Sequence, residues 1–322
     1  MAEKLINAGD PTGEDFPKGP KVGEQIPEFI LLDQHGNSVE YRSDGTHKGL
    51  ILFHRSASWW GFCKTQLVEL QENLEIFERN GIWSCAISYH PVEVLGRFAE
   101  KHNISYPLLS DVESKVIRRF GILNTNIPED HPWYGVPFPG TFMVKEDGTV
   151  IDKSFYANHG VRDSVDGMLQ KRFQVNDTKP GMRQIVKTNS LKATASLSSG
   201  TIRRGQIQTF RVEIEIKEGR HIYGRPLPEG YTPTRLTFQA VEGVRFGEVA
   251  YPEPEAYYLE KLDETLPVYD GRIVLNAPVH NRQRRESFEV QARLTYQACD
   301  DQECYLPDQI DFEIPIMYLD NV

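Results

Sequence analysis

The stretch "FHRSASWWGFCKTQLVELQ", residues 53–71, decides the fold of the first half of the chain, because it leads from a strand into a helix. The apolar run "GLILFH", which overlaps its start, is typical of a buried strand. Apolar residues then recur at the spacing of one helix face: Leu67, Leu70, Leu74 and Phe77. We predict a single amphipathic helix that ends at Gly81, with Cys63 at its N-terminus.

Strands and helices alternate between about residue 20 and residue 172. "EFILLD" and "SVEYR" predict a hairpin, and "WSCAISY", "VEVLGRFAEKH", "YPLLSD" and "SKVIRRFGI" predict a strand, a helix, a strand and a short helix. Two strands joined by an Asp-Gly turn, "GTFMVKEDGTVIDKSFY", and a last helix, "RDSVDGMLQKRF", complete this region. The alternation predicts an α/β domain with a mostly parallel sheet covered by helices.

The pattern changes after residue 172. Residues 173–193 are polar and aperiodic, which predicts a linker. Beyond them, segments such as "TFRVEIEIK", "GRIVLNAPV" and "IDFEIPIMYL" alternate apolar and polar residues with period two, and no helical pattern interrupts them. We therefore predict an N-terminal extension over 1–19, an α/β domain over 20–172, the linker, and an all-β antiparallel sandwich over 194–322.

Composition and charge narrow the class of protein. With 25% charged and 39% hydrophobic residues among 322, the chain has the composition of a folded two-domain protein. The net charge of -10 argues against a nucleic-acid partner, since such partners select basic patches. No apolar run has transmembrane length, so no membrane partner is expected. The first residues carry no export signal, which predicts a cytoplasmic protein, or a periplasmic one if a leader has been removed.

Three motifs follow one another in the first region: "VGEQIPEFILLDQHGNSV", "WWGFCK" and "FPGTFMVKEDGTV". Together they resemble the thioredoxin-like redoxins, a family that includes peroxiredoxins of the AhpC/TSA class. The resemblance covers most of residues 20–172 and implies an α/β thioredoxin-like fold with a redox role for Cys63. Trp60 then stands where a thioredoxin pair has its first thiol. The resemblance also implies that Pro139, just before the Thr-Phe pair at Thr141, forms a cis bond and packs against Cys63.

The position of Cys63 also favours its reactivity on physical grounds. Free amide groups and the helix dipole at a helix N-terminus stabilise a thiolate. The peroxiredoxin pattern is incomplete, however, because Trp60, Ser56 and Pro139 stand where that family usually has threonine, proline and an activating arginine. Arg55 could replace the lost charge, although a solvated arginine at a strand end is the simpler interpretation.

Simpler interpretations stay open for the residues around this junction. Cys63 could be a buried remnant of a two-cysteine site, since free cysteines are often buried. Cys85 lies in the apolar run "GIWSCAISY" and is predicted to be core packing. His54 is predicted to be a hydrogen-bonded residue at a strand end, without a catalytic role.

Two segments of the second region, "KEGRHIYGRPLPEGYTPTRLTF" and "LTYQACDDQECYLPDQIDFEIPI", carry a second resemblance. They are similar to the N-terminal domain of the disulfide interchange protein DsbD, over roughly residues 195–318. The resemblance implies an immunoglobulin-like sandwich in which Cys299 and Cys304 form a reversible disulfide that exchanges electrons with thioredoxin-like partners. It also makes the loop from Tyr223 to Tyr231 a candidate cap over the pair. A static disulfide, or two idle thiols, is the alternative.

Two domains that both resemble parts of dithiol exchange systems suggest a relay. Our leading hypothesis is a thiol-disulfide oxidoreductase in which Cys63 exchanges with the Cys299/Cys304 pair and acts on a thiol or disulfide protein. One alternative is a peroxiredoxin-like thiol peroxidase that acts on a small hydroperoxide through Cys63. Another is a redox-inactive binding module with an exposed aromatic docking surface: Trp59, Trp60 and Phe62. No cofactor or metal is expected, and the sequence does not fix the oligomeric state.

Overall fold

The computed structural model describes residues 18–42, 45, 47–172, 183–259, 264–300 and 302–322. The chain divides into two compact units. The first comprises Met1–Thr178 together with Asn321–Val322, and the second comprises Lys179–Asp320. Most of the predicted N-terminal extension and residues 173–182 of the predicted linker lie outside the described residues. The two-domain arrangement predicted from the sequence is confirmed, and the exact domain boundaries stay predictions.

The first unit combines seven sheet strands with helices. The strands are β1 (Phe29–Leu32), β2 (Ser38–Tyr41), β3 (Lys48–Phe53), β4 (Ile82–Ser88), β5 (Leu108–Ser110), β6 (Gly140–Val144) and β7 (Val150–Phe155), followed by a two-residue strand β8 (Arg162–Asp163). The helices are α1 (Gly61–Glu72), α2 (Leu74–Arg79), α3 (Val92–His102), α4 (Lys115–Arg119) and α5 (Val165–Arg172). Strand order in the sheet is β2-β1-β5-β4-β3-β6-β7.

The sheet of the first unit is mixed, whereas the sequence predicted a mostly parallel one. The pairs β3–β4 and β4–β5 are parallel. The pairs β1–β2, β1–β5, β3–β6 and β6–β7 are antiparallel. The difference has a topological cause, because the two hairpins predicted from the sequence attach at opposite sides of a parallel centre. The arrangement is the predicted α/β thioredoxin-like fold.

Side chains of β3 alternate between two apolar layers, as expected for a central strand. Leu50 and Leu52 pack on one face with residues of α1, α2, α3 and α5. Ile51 and Phe53 pack on the other face with β1 and α4. Cys85 is fully buried in this second layer, in agreement with its predicted role in core packing.

Two helix boundaries differ from the sequence predictions. The predicted helix up to Gly81 is split at Asn73, whose side-chain amide donates to the Glu69 carbonyl at 3.0 Å. Such local bonds compete with the helix ladder and interrupt it. The last helix begins at Val165, so Arg162 lies before the helix in which the sequence placed it. α3 has the predicted bounds.

The described residues of the second unit form strands and no helix. They are β9 (Arg183–Lys187), β10 (Leu191–Leu197), β11 (Thr201–Ile202), β12 (Gln206–Ile216), β13 (His221–Tyr223), β14 (Arg235–Phe238), β15 (Val244–Phe246), β16 (Glu255–Leu259), β17 (Glu264–Tyr269), β18 (Arg272–Asn281), β19 (Phe288–Tyr296), β20 (Ala298–Cys299) and β21 (Asp308–Tyr318). They pair in the orders β15-β18-β12-β10-β9, β11-β21-β19-β14 and β16-β17-β13-β20.

The first two of these sheets share one apolar core, which joins residues of β10, β12 and β18 to residues of β19 and β21. This is the organisation of a β-sandwich, and the pairing is antiparallel except between β11 and β21. Residues 183–193 of the predicted linker carry β9 and the start of β10. β9 lies at a sheet edge and is half exposed, which explains why its sequence is too polar to be recognised as a strand. In the described part of the chain, no helix is long and apolar enough to cross a membrane.

Candidate redox sites

Cys63 occupies the first turn of α1. Trp60 is the N-cap residue, and the Cys63 amide donates to the Trp60 carbonyl at 3.1 Å. The thiol is fully buried. Amide groups of a first helical turn point toward such a side chain and favour its thiolate form. Cys63 therefore lies at the helix N-terminus, as the sequence predicted, and its side chain is closed off from solvent.

Arg162 is the polar partner of Cys63. Its Nη2 donates to Cys63 Sγ at 3.4 Å, and its Nη1 donates to the Val161 carbonyl at 2.6 Å. The side chain is only 7% exposed, so its charge acts on the sulfur through little solvent. Sequence reasoning missed this residue, because the approach of two positions 99 residues apart depends on the tertiary fold.

Arg55 also belongs to this site, and its prediction as a solvated arginine is wrong. The residue is fully buried, and its guanidinium carbon lies 5.5 Å from the Trp59 ring centre and 5.1 Å from that of Trp60. The aromatic faces cover the charge, which is why it can leave water at a strand end. Burial lowers the pKa of Arg55 to about 10, the Cys63 thiolate opposes that change, and Arg162 reinforces it. At neutral pH the side chain therefore remains a cation.

Aromatic side chains surround the junction. The Trp59 ring stacks on Trp133 with 4.4 Å between centroids, and Trp60 lies 4.9 Å from the ring of His159 and 5.7 Å from that of Phe62. Trp59, Trp60 and Phe62 are half-buried by these contacts. The exposed docking surface considered in the sequence analysis is thus largely covered by its own neighbours. Trp133 and His159 come from later loops that no sequence motif connects with Cys63.

His54 and His90 lie behind the loop that leads to Cys63. His90 Nε2 lies 3.0 Å from Ser56 Oγ, which also accepts the amides of Ser58 and Trp59. These bonds fix the conformation of the loop at Ser56, the position where the resemblance to peroxiredoxins implies a proline. Neither ring nitrogen of His54 makes a hydrogen bond of ordinary geometry with a described residue, and only a weak interaction with the Ser56 backbone opposes the lowering of its pKa. Burial, His90 and Arg162 lower the pKa of His54 to about 3, so the ring is neutral.

The supporting residues before β6 are only partly as predicted. The cis prediction for Pro139 is wrong, because the cis peptide bond found in the described residues is Arg225–Pro226. A trans bond is the usual state of X-Pro, and here it leads directly into the extended β6. Thr141 is buried on β6, and its hydroxyl has no hydrogen-bond partner in the described part of the chain. The predicted packing of Pro139 against Cys63 stays a prediction.

The second site is the cysteine pair of the C-terminal unit. Cys299 and Cys304 are joined as a disulfide, with their Cα atoms 4.1 Å apart. Cys299 is fully buried on β20, whereas Cys304 lies in an exposed segment. The two sulfurs therefore differ in access, and an incoming thiolate has its open approach to Cys304.

Tyr223 bridges the two sulfurs of this pair. Its hydroxyl lies 3.1 Å from Cys304 Sγ and 3.1 Å from Cys299 Sγ. Burial raises the pKa of Tyr223 to about 12, with the negative charge of Glu264 acting in the same direction, so the hydroxyl keeps its proton. Tyr223 belongs to β13 rather than to a loop, while Leu227 and Tyr231 pack around the same cluster. The segment predicted as a cap, from Tyr223 to Tyr231, thus starts at a strand residue, and the hydroxyl of that residue contacts both sulfurs.

Metal ions in proteins are held by clusters of ligating side chains. Among the residues that the structure describes, no group of three or more His, Cys, Asp or Glu side chains is placed to hold an ion.

Comparison with known proteins assigns each half of the chain separately. Residues 22–153 match the model of the AhpC/TSA family, and residues 191–315 match that of the N-terminal domain of thiol:disulfide interchange protein DsbD. Peroxiredoxin Bcp of Escherichia coli strain K12 is 30% identical over 146 residues, which are 43% of this chain and 90% of that protein. Alkyl hydroperoxide reductase E of Mycobacterium bovis is 28% identical over 131 residues, 40% of this chain and 81% of that protein.

A solved structure, the peroxidoxin BcpB of Mycobacterium tuberculosis, is 25% identical and covers 42% of this chain and 85% of its own, with a TM-score of 0.37. The family matches and relatives agree with both resemblances drawn from the motifs. They support a thiol-based redox activity for the chain.

Proposed function

Since the chain belongs to the AhpC/TSA family, we propose that it is a thiol peroxidase in which Cys63 reduces a hydroperoxide and the Cys299/Cys304 dithiol restores the thiol. The observation that supports Cys63 most strongly is its contact with the buried guanidinium of Arg162 in the first turn of α1. A cation held beside a thiol in a desolvated site favours the thiolate and stabilises charge that develops on a leaving oxygen.

The proposed peroxidase reaction has three steps. The Cys63 thiolate attacks one peroxide oxygen, the O–O bond breaks, and the products are a Cys63 sulfenic acid and an alcohol after protonation of the alkoxide. A thiolate of the C-terminal pair then attacks the Cys63 sulfur and displaces hydroxide, which takes up a proton from solvent to give water and leaves a mixed disulfide. The second thiolate of the pair displaces Cys63 as thiolate, so that the pair ends oxidised and Cys63 reduced.

The exposure of the pair suggests which cysteine acts in each step. Cys304 is exposed and forms the mixed disulfide, whereas Cys299 is buried and closes the Cys299–Cys304 bond. A linker between two domains raises the effective concentration of the second reactant to about the millimolar range when it can span the gap. An external dithiol then reduces the pair for the next cycle.

Disulfide exchange without peroxide is the second candidate, and a specific observation favours it. Trp60, Ser56 and Pro139 replace three residues of the usual peroxide pocket, and the C-terminal pair is joined as a disulfide with one accessible sulfur. In this function Cys63 attacks a substrate disulfide instead of a hydroperoxide, forms a mixed disulfide and releases one substrate thiolate. A thiolate of the pair then attacks the Cys63 sulfur and releases the second substrate thiolate, and the other thiolate of the pair displaces Cys63.

Two assays on the same protein separate the candidates. Consumption of cumene hydroperoxide in the presence of dithiothreitol, lost in Cys63→Ser, supports the peroxidase. Reduction of insulin by the wild type, with no hydroperoxide consumption above that of Cys63→Ser, would instead identify the exchange enzyme. Cys85→Ser is the matched control, because Cys85 is equally buried but lies in the apolar core.

A further inference from the structure

Around Cys63 lies a group of N–H donors that have no acceptor among the described residues. The atoms are Arg55 Nε, Nη1 and Nη2, Trp60 Nε1 and Arg162 Nε. Buried donors are almost always paired in folded proteins, so five unpaired N–H donors on three neighbouring residues are unusual. All three residues belong to the Cys63 site, and none of these atoms has a role in the peroxidase steps described above.

The three side chains that carry these donors are neighbours. The guanidinium carbon of Arg55 lies 5.1 Å from the ring centre of Trp60, whose own N–H is one of the orphan donors. Arg162 contacts Cys63 Sγ at 3.4 Å and is close enough to Arg55 for the two cations to repel each other. The Trp59 ring, 5.5 Å from the same guanidinium carbon, supplies an aromatic wall.

The charges at this place do not balance. Arg55 and Arg162 contribute two positive charges, and Cys63 supplies at most one negative charge, when its thiol is ionised. Cys63 and Tyr89 are the groups whose negative form favours the Arg55 cation, and no described carboxylate is among them. One further negative charge would neutralise the cluster, and a desolvated arginine without a counter-ion is costly.

We propose that Arg55, Trp60 Nε1 and Arg162 Nε form a subsite that binds a carboxylate beside Cys63. A planar carboxylate matches the two-pronged geometry of a guanidinium and accepts the indole N–H with its free lone pairs. The carboxylate belongs either to the substrate, as in a hydroperoxide of an organic acid, or to a free carboxylate that occupies the site in competition with a hydroperoxide. A carboxylate that belongs to the substrate rests on the proposed peroxidase function, whereas the binding of a free carboxylate at this subsite does not.

Direct binding is measured with sodium acetate as the probe and tryptophan fluorescence as the readout. All four tryptophans, Trp59, Trp60, Trp83 and Trp133, lie in the first unit, and two of them line the subsite. We expect a saturable change with acetate in the full-length Cys63→Ser protein, beyond that with sodium chloride at equal ionic strength. An acetate response that is absent, or no different from the chloride response, would overturn the proposal.

Variants assign the response to Arg55. We expect Arg55→Gln to abolish the saturable change and Arg55→Lys, which keeps the charge but loses the fork, to weaken acetate binding about tenfold. Arg97→Gln, on the exposed face of α3, is the matched control and should bind acetate like the parent. Should Arg55→Gln fail to fold, Arg55→Lys decides, and an unchanged affinity in Arg55→Lys would contradict the proposal.

A matched pair of substrates then identifies the source of the carboxylate. The hydroperoxide of a carboxylic acid and its methyl ester differ in charge alone. A kcat/KM about tenfold higher for the acid, lost in Arg55→Lys, would assign the carboxylate to the substrate. Equal values, with acetate as a competitive inhibitor, would assign it to a free carboxylate. If neither hydroperoxide is consumed, the peroxidase function fails, while the fluorescence titration still decides whether the subsite exists.

Discussion

At the scale of single residues, the first domain is organised around two arginines that it buries at considerable cost. Arg162 contacts the Cys63 sulfur, and the Arg55 guanidinium packs against the rings of Trp59 and Trp60. Buried charges of this kind are kept where they act on a reacting group, because an apolar side chain would pack there more cheaply. We therefore assign their main effect to reactivity rather than to stability.

The role of Arg162 predicts a loss of peroxide reactivity in Arg162→Met. The methionine keeps much of the packing volume but removes a charge-assisted hydrogen bond to sulfur, which is worth about 1.5–3 kcal/mol. We expect the second-order rate constant of Cys63 with hydroperoxide to fall about 10- to 100-fold in single-turnover stopped flow. Arg97→Met on the exposed face of α3 is the control. A rate within twofold of the wild type would show that Arg162 does not act on the thiol.

The neutral state of His54 predicts a pH dependence of stability. The unfolded chain protonates this histidine near its ordinary pKa of about 6.5, whereas the folded domain holds its pKa at about 3. Below about pH 6.5 the unfolded state therefore binds more protons, and the free energy of unfolding falls as pH falls, by up to about 1.4 kcal/mol per pH unit from this residue.

The measurement is urea unfolding of wild type and His54→Gln between pH 7 and pH 4.5, followed by tryptophan fluorescence, which reports on the first domain alone. His54→Gln removes the titrating group, so its stability should decline less steeply than that of the wild type. Parallel pH profiles of the two proteins would rule out a buried, neutral His54.

Residue roles were predictable from sequence to different degrees. Cys63, Cys299 and Cys304 could be found because chemistry-bearing residue types stand in recognisable motifs. The burial of Arg55 could not be found, because a charge next to a strand is normally solvated and only the rings of Trp59 and Trp60 make its burial possible. Arg162 was hidden for a different reason, since a single arginine before a helix carries no sign of a partner 99 residues away.

At the scale of elements, α1 carries Cys63 in its first turn. Its start was predicted from the apolar periodicity, but its end at Glu72 depends on a local bond of Asn73 that periodicity does not reveal. The sheet was predicted as mostly parallel because alternation of strands and helices does not specify where hairpins attach. β9 was taken for linker because a sheet edge tolerates a polar strand.

The geometry of α1 predicts the behaviour of Trp60→Cys. Trp60 is the N-cap, three residues before Cys63, and residues three apart share one face of a helix. The new thiol can therefore form a disulfide with Cys63 and resolve it locally. We expect this variant to turn over in an insulin or hydroperoxide assay even when Cys299 and Cys304 are both serine.

The comparison needs four proteins: wild type, Trp60→Cys, the C-terminal double serine variant and the combination. If the combination is as inactive as the double serine variant, the N-cap position cannot supply a resolving thiol. Ser58→Cys, on the exposed part of the same loop, controls for the mere addition of a thiol.

The contact of β13 with β20 predicts an effect of Tyr223→Phe on the C-terminal pair. The Tyr223 hydroxyl stays protonated and bonds more strongly to a thiolate than to a disulfide sulfur, so it favours the reduced pair. Loss of about 1 kcal/mol of this preference lowers the reduction potential by about 20 mV. Equilibration of the pair with glutathione buffers measures the shift, with Tyr231→Phe as the control. An unchanged or higher potential would contradict this role of Tyr223.

At the scale of the whole molecule, the proposed redox cycle requires both domains. The first matches peroxide-reducing enzymes, and the second matches a domain of a disulfide interchange protein. Cys63 has no second thiol in its own helix turn, and the second domain carries a bonded pair with one exposed sulfur. In the proposed cycle, the pair on the same chain is the reductant of the oxidised Cys63.

The most direct test of this cycle is a single turnover followed by mass spectrometry. The fully reduced protein is mixed with one equivalent of hydroperoxide, quenched with an alkylating agent and digested without reduction. We expect Cys299 and Cys304 to be recovered as a disulfide and Cys63 as an alkylated thiol, whereas in Cys63→Ser the pair stays reduced and alkylated. Recovery of a reduced Cys299/Cys304 pair together with an oxidised Cys63 in the wild type would contradict the cycle.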